Sequence, residues 1–183
     1  MARILPVILV ALFALLLPLQ AEAQQPPAPK IAILNVDHLM RDSLASKSIR
    51  SQLEKKRAAF QGDIAKREKA LRDADQKMAQ QRAVLSPDAF AERQKEFQKQ
   101  VADTQRYVQN LKRQLDKGFA DAMRKVEKVV AEVAEDVAKK KGMNIVLTRN
   151  MVVYTIPALD ITKPVLAQLD KKLPTVKVAV SSK

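Results

Sequence analysis

From Ser43 to Lys141 apolar residues recur every three or four positions among Ala, Gln, Lys, Arg and Glu, the period of a helix with one apolar stripe. Ser86-Pro87 is the one break in that run. The residue before a proline is pushed out of helical geometry. Pro87 itself suits the first position of a new helix, with Ser86 as its cap and Asp88 near the positive end of the dipole. The pattern therefore predicts a long antiparallel helical hairpin over residues 43–141, with its tip near 85–88. In the first arm Ile64, Leu71, Met78 and Leu85 repeat every seven residues, and Leu53, Phe60 and Ala74 fall on the companion series, which makes a coiled-coil seam. Arg57, Arg67 and Gln81 occupy seam positions and weaken it. The return arm carries Phe90, Phe97, Val101, Thr104, Val108, Leu111, Leu115, Ala122, Val126, Val129, Val133 and Val137. Its stripe is aliphatic and regular from Leu111 to Val137, while the hairpin around Met78 to Phe97 is sparse and polar-interrupted, so the expectation is a firm root and a pliable tip. Gly118 sits inside this second helix, where close approach of two helices, or simple tolerance, accounts for it better than a hinge.

The flanks read as a small α+β base. Lys30 to Val36 is a run of β-formers without polar alternation, which predicts a strand covered on both faces. Asp37 is a candidate cap for a short turn through Met40, and Ser43 or Ser46 for the long helix. Lys139-Lys140-Lys141-Gly142 ends the hairpin, with cations at the negative end of the dipole and a glycine suited to a left-handed cap. Two strands are then expected, Met143 to Thr148 and Met151 to Ile156, joined by a tight turn at Arg149-Asn150. Thr162 is expected to cap a last helix with Pro164 in its first turn and with Val165, Leu166, Leu169 and Leu173 on one face. The tail 174–183 alternates weakly through Val176, Val178 and Val180, and is expected to be disordered rather than an edge strand. The body, residues 30–42 and 142–173, has a sheet too narrow to stand alone. Copies from other subunits would complete it, with Ile31, Ile33, Leu34, Ile145, Leu147 and Val153 as the strand residues that oligomerise.

Residues 1–23 stand apart. A positive start at Arg3, an apolar run from Ile4 to Leu19 broken by Pro6 and Pro18, and the small residues of Ala21-Glu22-Ala23 read as a cleaved secretory signal. The run is short of the ~20 residues a membrane span needs. A Pro-rich leader, residues 24–29, follows as a spacer. The absence of cysteine rules out a disulfide framework in an exported chain, so packing or association must supply stability. Removing Arg3 and Glu22 with the signal leaves the net charge at +13. That surplus suits acidic partners, and export makes nucleic acid the least expected of them.

Little of the sequence offers chemistry. One histidine, His38, with no cysteine cannot build a transition-metal site, and three glycines, Gly62, Gly118 and Gly142, cannot supply a phosphate loop. Carboxylates are spread over helix faces beside Lys and Arg. No enzyme, cofactor or metal is expected.

The opening strand Lys30-Ile31-Ala32-Ile33-Leu34-Asn35, the long basic hairpin, the closing strands and the Asp160-Ile161-Thr162 turn before the final helix together resemble the Skp/OmpH family of periplasmic outer-membrane-protein chaperones. The resemblance spans Lys30 to Lys172. It implies a mainly α fold with a small β part, in which a coiled-coil tentacle projects from a base that completes a β-barrel-like body as a homotrimer. It also implies an ATP-independent periplasmic holdase for unfolded outer-membrane proteins, with contact to anionic lipid or lipopolysaccharide associated with the family. Family tips are strongly basic, whereas Asp63 to Lys99 here holds 9 Lys and Arg against 7 Asp and Glu, so tip-mediated membrane binding is not supported. Phe60, Met78, Phe90 and Phe97 are the candidate apolar client contacts, with burial between the helices as the competing role for each. Lys66, Arg72, Lys77, Arg82 and Arg93 are the candidate basic contacts. The rival classes are a structural coiled-coil spacer of the envelope and a basic protein that binds anionic lipid or nucleic acid.

Overall fold

A computed structural model describes residues 27–180; residues 1–26, which hold the signal segment and the start of the Pro-rich leader, and residues 181–183 lie outside the described residues. Strand β1 (Ile31–Leu34) leads into a short helix α1 (Val36–Asp42) and the outgoing arm α2 (Leu44–Gln81). The return arm α3 (Pro87–Lys140) is followed by strand β2 (Ile145–Thr148), two 3-10 turns and helix α4 (Thr162–Lys172). Parallel β1 and β2 pair from Ile31 opposite Ile145 to Leu34 opposite Thr148, so the whole hairpin is the crossover between two adjacent strands.

Local chemistry sets the ends of each element. Asn35, rather than Asp37, caps α1, its side chain accepting the His38 amide at 3.0 Å. Ser43 caps α2 by accepting the Ser46 amide, and the two hydroxyls hydrogen-bond at 2.9 Å in a buried pair. Ser86 caps α3 through the Ala89 amide, with Pro87 and Asp88 in the first turn as the sequence predicts. At the far end Gly142 has φ +67°. Its amide reaches the Lys139 carbonyl at 2.9 Å and the Met143 amide reaches that of Ala138 at 2.9 Å, the paired closure that a left-handed glycine allows.

The core lies at the root of the hairpin. Ala45, Ile49 and Leu53 of α2 meet Ala122, Val126, Val133 and Val137 of α3, and Leu39, Ile161, Val165 and Leu169 close over them. Beyond Leu53 the outgoing arm has no buried residue, and its seam positions Phe60, Ile64, Leu71, Ala74 and Met78 are only half-buried. On the return arm Tyr107, which the seam reading omitted, is half-buried while Val108 is exposed. The reason is Arg67, whose guanidinium lies 4.0 Å from the centre of the Tyr107 ring, so an aromatic face takes the place of an aliphatic knob.

Three expectations are corrected. The strand expected over Met151 to Ile156 does not form: Arg149–Met151 and Pro157–Leu159 are 3-10 turns, and Val153 lies outside any strand and is fully exposed. Among the described residues the sheet contains only β1 and β2, and no non-glycine described residue takes positive φ, so Asn150 makes no hairpin turn. Thr162 does not cap α4: Asp160 accepts its amide at 2.7 Å, and its hydroxyl instead accepts the Asn35 amide at 2.9 Å, tying the start of α4 to the end of β1. The tail is ordered as far as Val180. Val176 and Val178 are buried, and an added Cβ at Gly118 would stand 2.6 Å from the Ala179 carbonyl oxygen. The close approach at Gly118 is thus made by an extended tail rather than by a second helix.

Candidate functional site

Two surfaces concentrate what this fold can do, the hairpin seam and the open edge of the base. Along the seam, Met78 and Phe97 are brought together around a groove of about 480 Å³ with Lys77 and Arg93 at its rim. Phe60 lies a few turns nearer the root, beside Ile64, Val108, Leu111 and Leu115 in a groove of about 330 Å³. Phe90, in the first helical turn after the tip, is half-buried like the other three. Each of the four is therefore partly covered and partly open to solvent.

The basic candidates are exposed but not equivalent. Lys66 faces Asp63 at 3.7 Å, whereas Arg72, Lys77, Arg82 and Arg93 take part in no ion pair formed among the described residues. Nearby, the Lys69 ammonium hydrogen-bonds Asp73 at 2.9 Å and lowers its carboxyl pKa, with Lys77 and Arg72 adding to the effect. Four exposed cations outside any ion pair, on a wall of half-open apolar grooves, can hold an extended acidic or amphipathic chain through many weak contacts.

Of the expected oligomerisation residues, Ile33 and Leu34 are buried within this chain and Ile31 and Leu147 are half-buried. Ile145 and Val153 face outward, and the sequence reading missed their neighbours: Met151 is 75% and Tyr154 81% exposed, with Val146 and Ile156 also exposed. The signal for this patch is the unbroken apolar run Met151-Val152-Val153-Tyr154, a pattern that a paired strand shares. Beside it, an apolar groove of about 700 Å³ opens between β1, β2 and the root of α3, lined by Leu34, Val130, Ala134, Ala138, Met143 and Val146. Among the described residues no three His, Cys, Asp or Glu side chains gather as a metal site, and His38 contacts Asp42 at 2.7 Å. No helix of the described residues is long and apolar enough to cross a membrane.

The Asp160-Ile161-Thr162 turn is the best-defined polar feature of the base. The Ile161 amide donates to the Ile33 carbonyl at 2.9 Å, adding a bridge beside β1. Burial pushes the Asp160 carboxyl up, but the Thr162 side chain and amide, with Arg149 and His38 nearby, outweigh it and leave the pKa below its ordinary value.

Comparison with known proteins agrees with this architecture. Residues 30–169 match the family described as outer membrane protein (OmpH-like). The chaperone protein Skp of Pectobacterium atrosepticum is 30% identical over 159 residues, 82% of this chain and 92% of that protein. The chaperone protein Skp of Yersinia enterocolitica is 31% identical over 150 residues, 78% of this chain and 87% of that protein. The crystal structure of an OmpH-like outer membrane chaperone of Caulobacter crescentus shares the fold, with a TM-score of 0.79 at 19% identity over 87% of this chain and 94% of that one. A hairpin arm on a two-stranded base, the opening strand and the Asp-Ile-Thr turn all fall inside the matched residues, and the chain belongs to the OmpH-like outer membrane protein family.

Proposed function

We propose that the protein is an ATP-independent holdase that works in the periplasm, with its signal cleaved near Ala23, and that binds unfolded outer-membrane proteins before their assembly. The observation that carries this reading is the graded hairpin: a packed root followed by an outgoing arm whose seam residues beyond Leu53, from Phe60 to Met78, are half-open to solvent. Unfolded membrane strands pair edge to edge and aggregate unless isolated, and a holder without fuel must bind them weakly enough to let go. Half-buried Phe60, Met78, Phe90 and Phe97 offer shallow apolar contacts, with Met78 adaptable in shape, and exposed Arg72, Lys77, Arg82 and Arg93 raise the encounter rate with acidic chains. Lys66 contributes less, because Asp63 offsets it.

The exposed edge of the base supports assembly into a homotrimer, in which Ile145, Val146, Val153 and Tyr154 meet other copies and complete a barrel-like body. Several large apolar side chains left exposed on so small a base mark a contact surface rather than a finished exterior. Anionic lipid or lipopolysaccharide is a secondary partner of the net +13 surface, and nucleic acid is not a partner.

The direct test is aggregation of a urea-unfolded outer-membrane barrel on dilution, without ATP, at low and high salt. Suppression that weakens with salt is the expected result. No suppression at any molar ratio refutes the holdase and leaves an envelope spacer.

A further inference from the structure

The family match ends at residue 169, yet the tail beyond it buries Val176 and Val178 against the hairpin root. We propose that the hairpin root carries a strand-reading groove, filled here by the chain's own tail and open by exchange to an extended client segment with apolar residues at alternate positions. The identity of that client rests on the holdase reading; the groove does not.

Backbone recognition comes first. The Gln52 side chain donates to the Val176 carbonyl at 2.8 Å and accepts the Val178 amide at 3.0 Å. One amide thus engages the carbonyl and the amide on either side of Lys177, which is how a neighbouring parallel strand would engage them. Ser48 accepts a second hydrogen bond from the same Gln52 nitrogen at 3.1 Å and fixes its orientation. None of these contacts reads the side chain of Lys177.

Spacing comes second. Val176 and Val178 are buried while Lys177 and Ala179 are exposed, so the groove admits every other side chain and leaves the rest in water. The floor is Gly118, where an added Cβ would also meet Val178 and Val180 side-chain carbons at 3.2 Å. A groove that binds backbone and two alternate apolar groups is chemically matched to membrane β-strands, whose side chains alternate apolar and polar. It discriminates against a contiguous apolar run, which would put an apolar group in water.

Exchange follows from balance. The burial of two valines and two hydrogen bonds is offset by the cost of fixing the extended residues 174–180, and these opposing terms are of similar size. Tethering rather than contact energy then keeps the tail in place, because a short tether supplies a high effective concentration.

The test uses the full chain and three fluorescent nine-residue peptides: the sequence of residues 175–183, a strand of alternating Val and Thr, and the first peptide permuted to make its valines contiguous. The variant Val176→Asp/Val178→Asp cannot seat its own tail. It is expected to bind the first two peptides at least about tenfold tighter than the unsubstituted chain. It should bind the permuted peptide at least about tenfold more weakly, and adding Gly118→Val should abolish binding. Failure of that variant to bind the first two peptides, or equal binding of the permuted one, overturns the proposal. A readout on the unsubstituted chain guards against misfolding of the variant: excess alternating peptide should speed hydrogen exchange at the Val178 amide, and unchanged exchange overturns the groove. Peptide binding without suppression of aggregation would sink the holdase and keep the groove; suppression without peptide binding would do the reverse.

Discussion

Replacing Thr162 by valine isolates the bond that ties the two ends of the chain together. The side chain is 5% exposed, and Thr162→Val preserves its shape while removing the hydroxyl that accepts the Asn35 amide at 2.9 Å. An amide left without an acceptor in a partly buried site costs about 1–3 kcal/mol. With a urea slope of roughly 1–3 kcal/mol per M, the unfolding midpoint should fall by about 1 M when measured at fixed protein concentration. The change should also alter acid sensitivity. Asp160 has a folded pKa held below its ordinary value of 3.8, so its contribution is present above that value and is lost as pH falls through the folded one. Thr162→Val removes part of what lowers that pKa, so the stability gap between variant and parent should be full at pH 7 and should narrow in acid below 3.8. A variant as stable as the parent at pH 7, or a gap that does not change with acid, refutes this account of the turn.

Other outcomes follow from the gradient and the edge. Ile49 is fully buried, so Ile49→Ala should cost about 2–5 kcal/mol in urea unfolding, while Ile64→Ala in the half-buried arm should cost less than half as much; equal losses would deny the difference between root and arm. The Arg67 and Tyr107 pair should show a coupling of about 0.5–1 kcal/mol in a double-mutant cycle of alanine substitutions, and additivity would remove it. Val153→Asp/Tyr154→Asp alters fully or largely exposed side chains, so it should leave the folded chain's helicity unchanged while sedimentation shifts to the monomer; an unaffected oligomer would place the interface elsewhere.

The hairpin was legible because its signals are local: heptad spacing, Ser86-Pro87-Asp88, and a glycine after three lysines each act within a few residues. The failures share a different cause. Met151 to Ile156 has strand-forming residues, but strand propensity measures fit to a pleated, half-covered surface, and among the described residues no strand pairs with it. Thr162 looks like a helix cap from its neighbours, yet its acceptor is taken by Asn35, 127 residues away. The weak alternation of the tail gives no sign in sequence of Gln52 and Gly118, which meet it only in three dimensions. For the seam, the sequence identified Phe60, Met78, Phe90 and Phe97 but could not fix how far two arms with arginine and glutamine between them would close, and the half-burial of all four is the answer.

The parallel pairing of β1 with β2 has a consequence for how the chain reaches its native state. Lys30 and Asn144 touch across 114 residues, a separation that would make ring closure slow for a flexible polymer. A zipped hairpin shortens that path, because each turn added to the two helices carries the stem closer to the point where the strands meet. The sheet is then the last step rather than the nucleus, and any lesion that delays zipping of the stem should leave both strands waiting as unpaired edges.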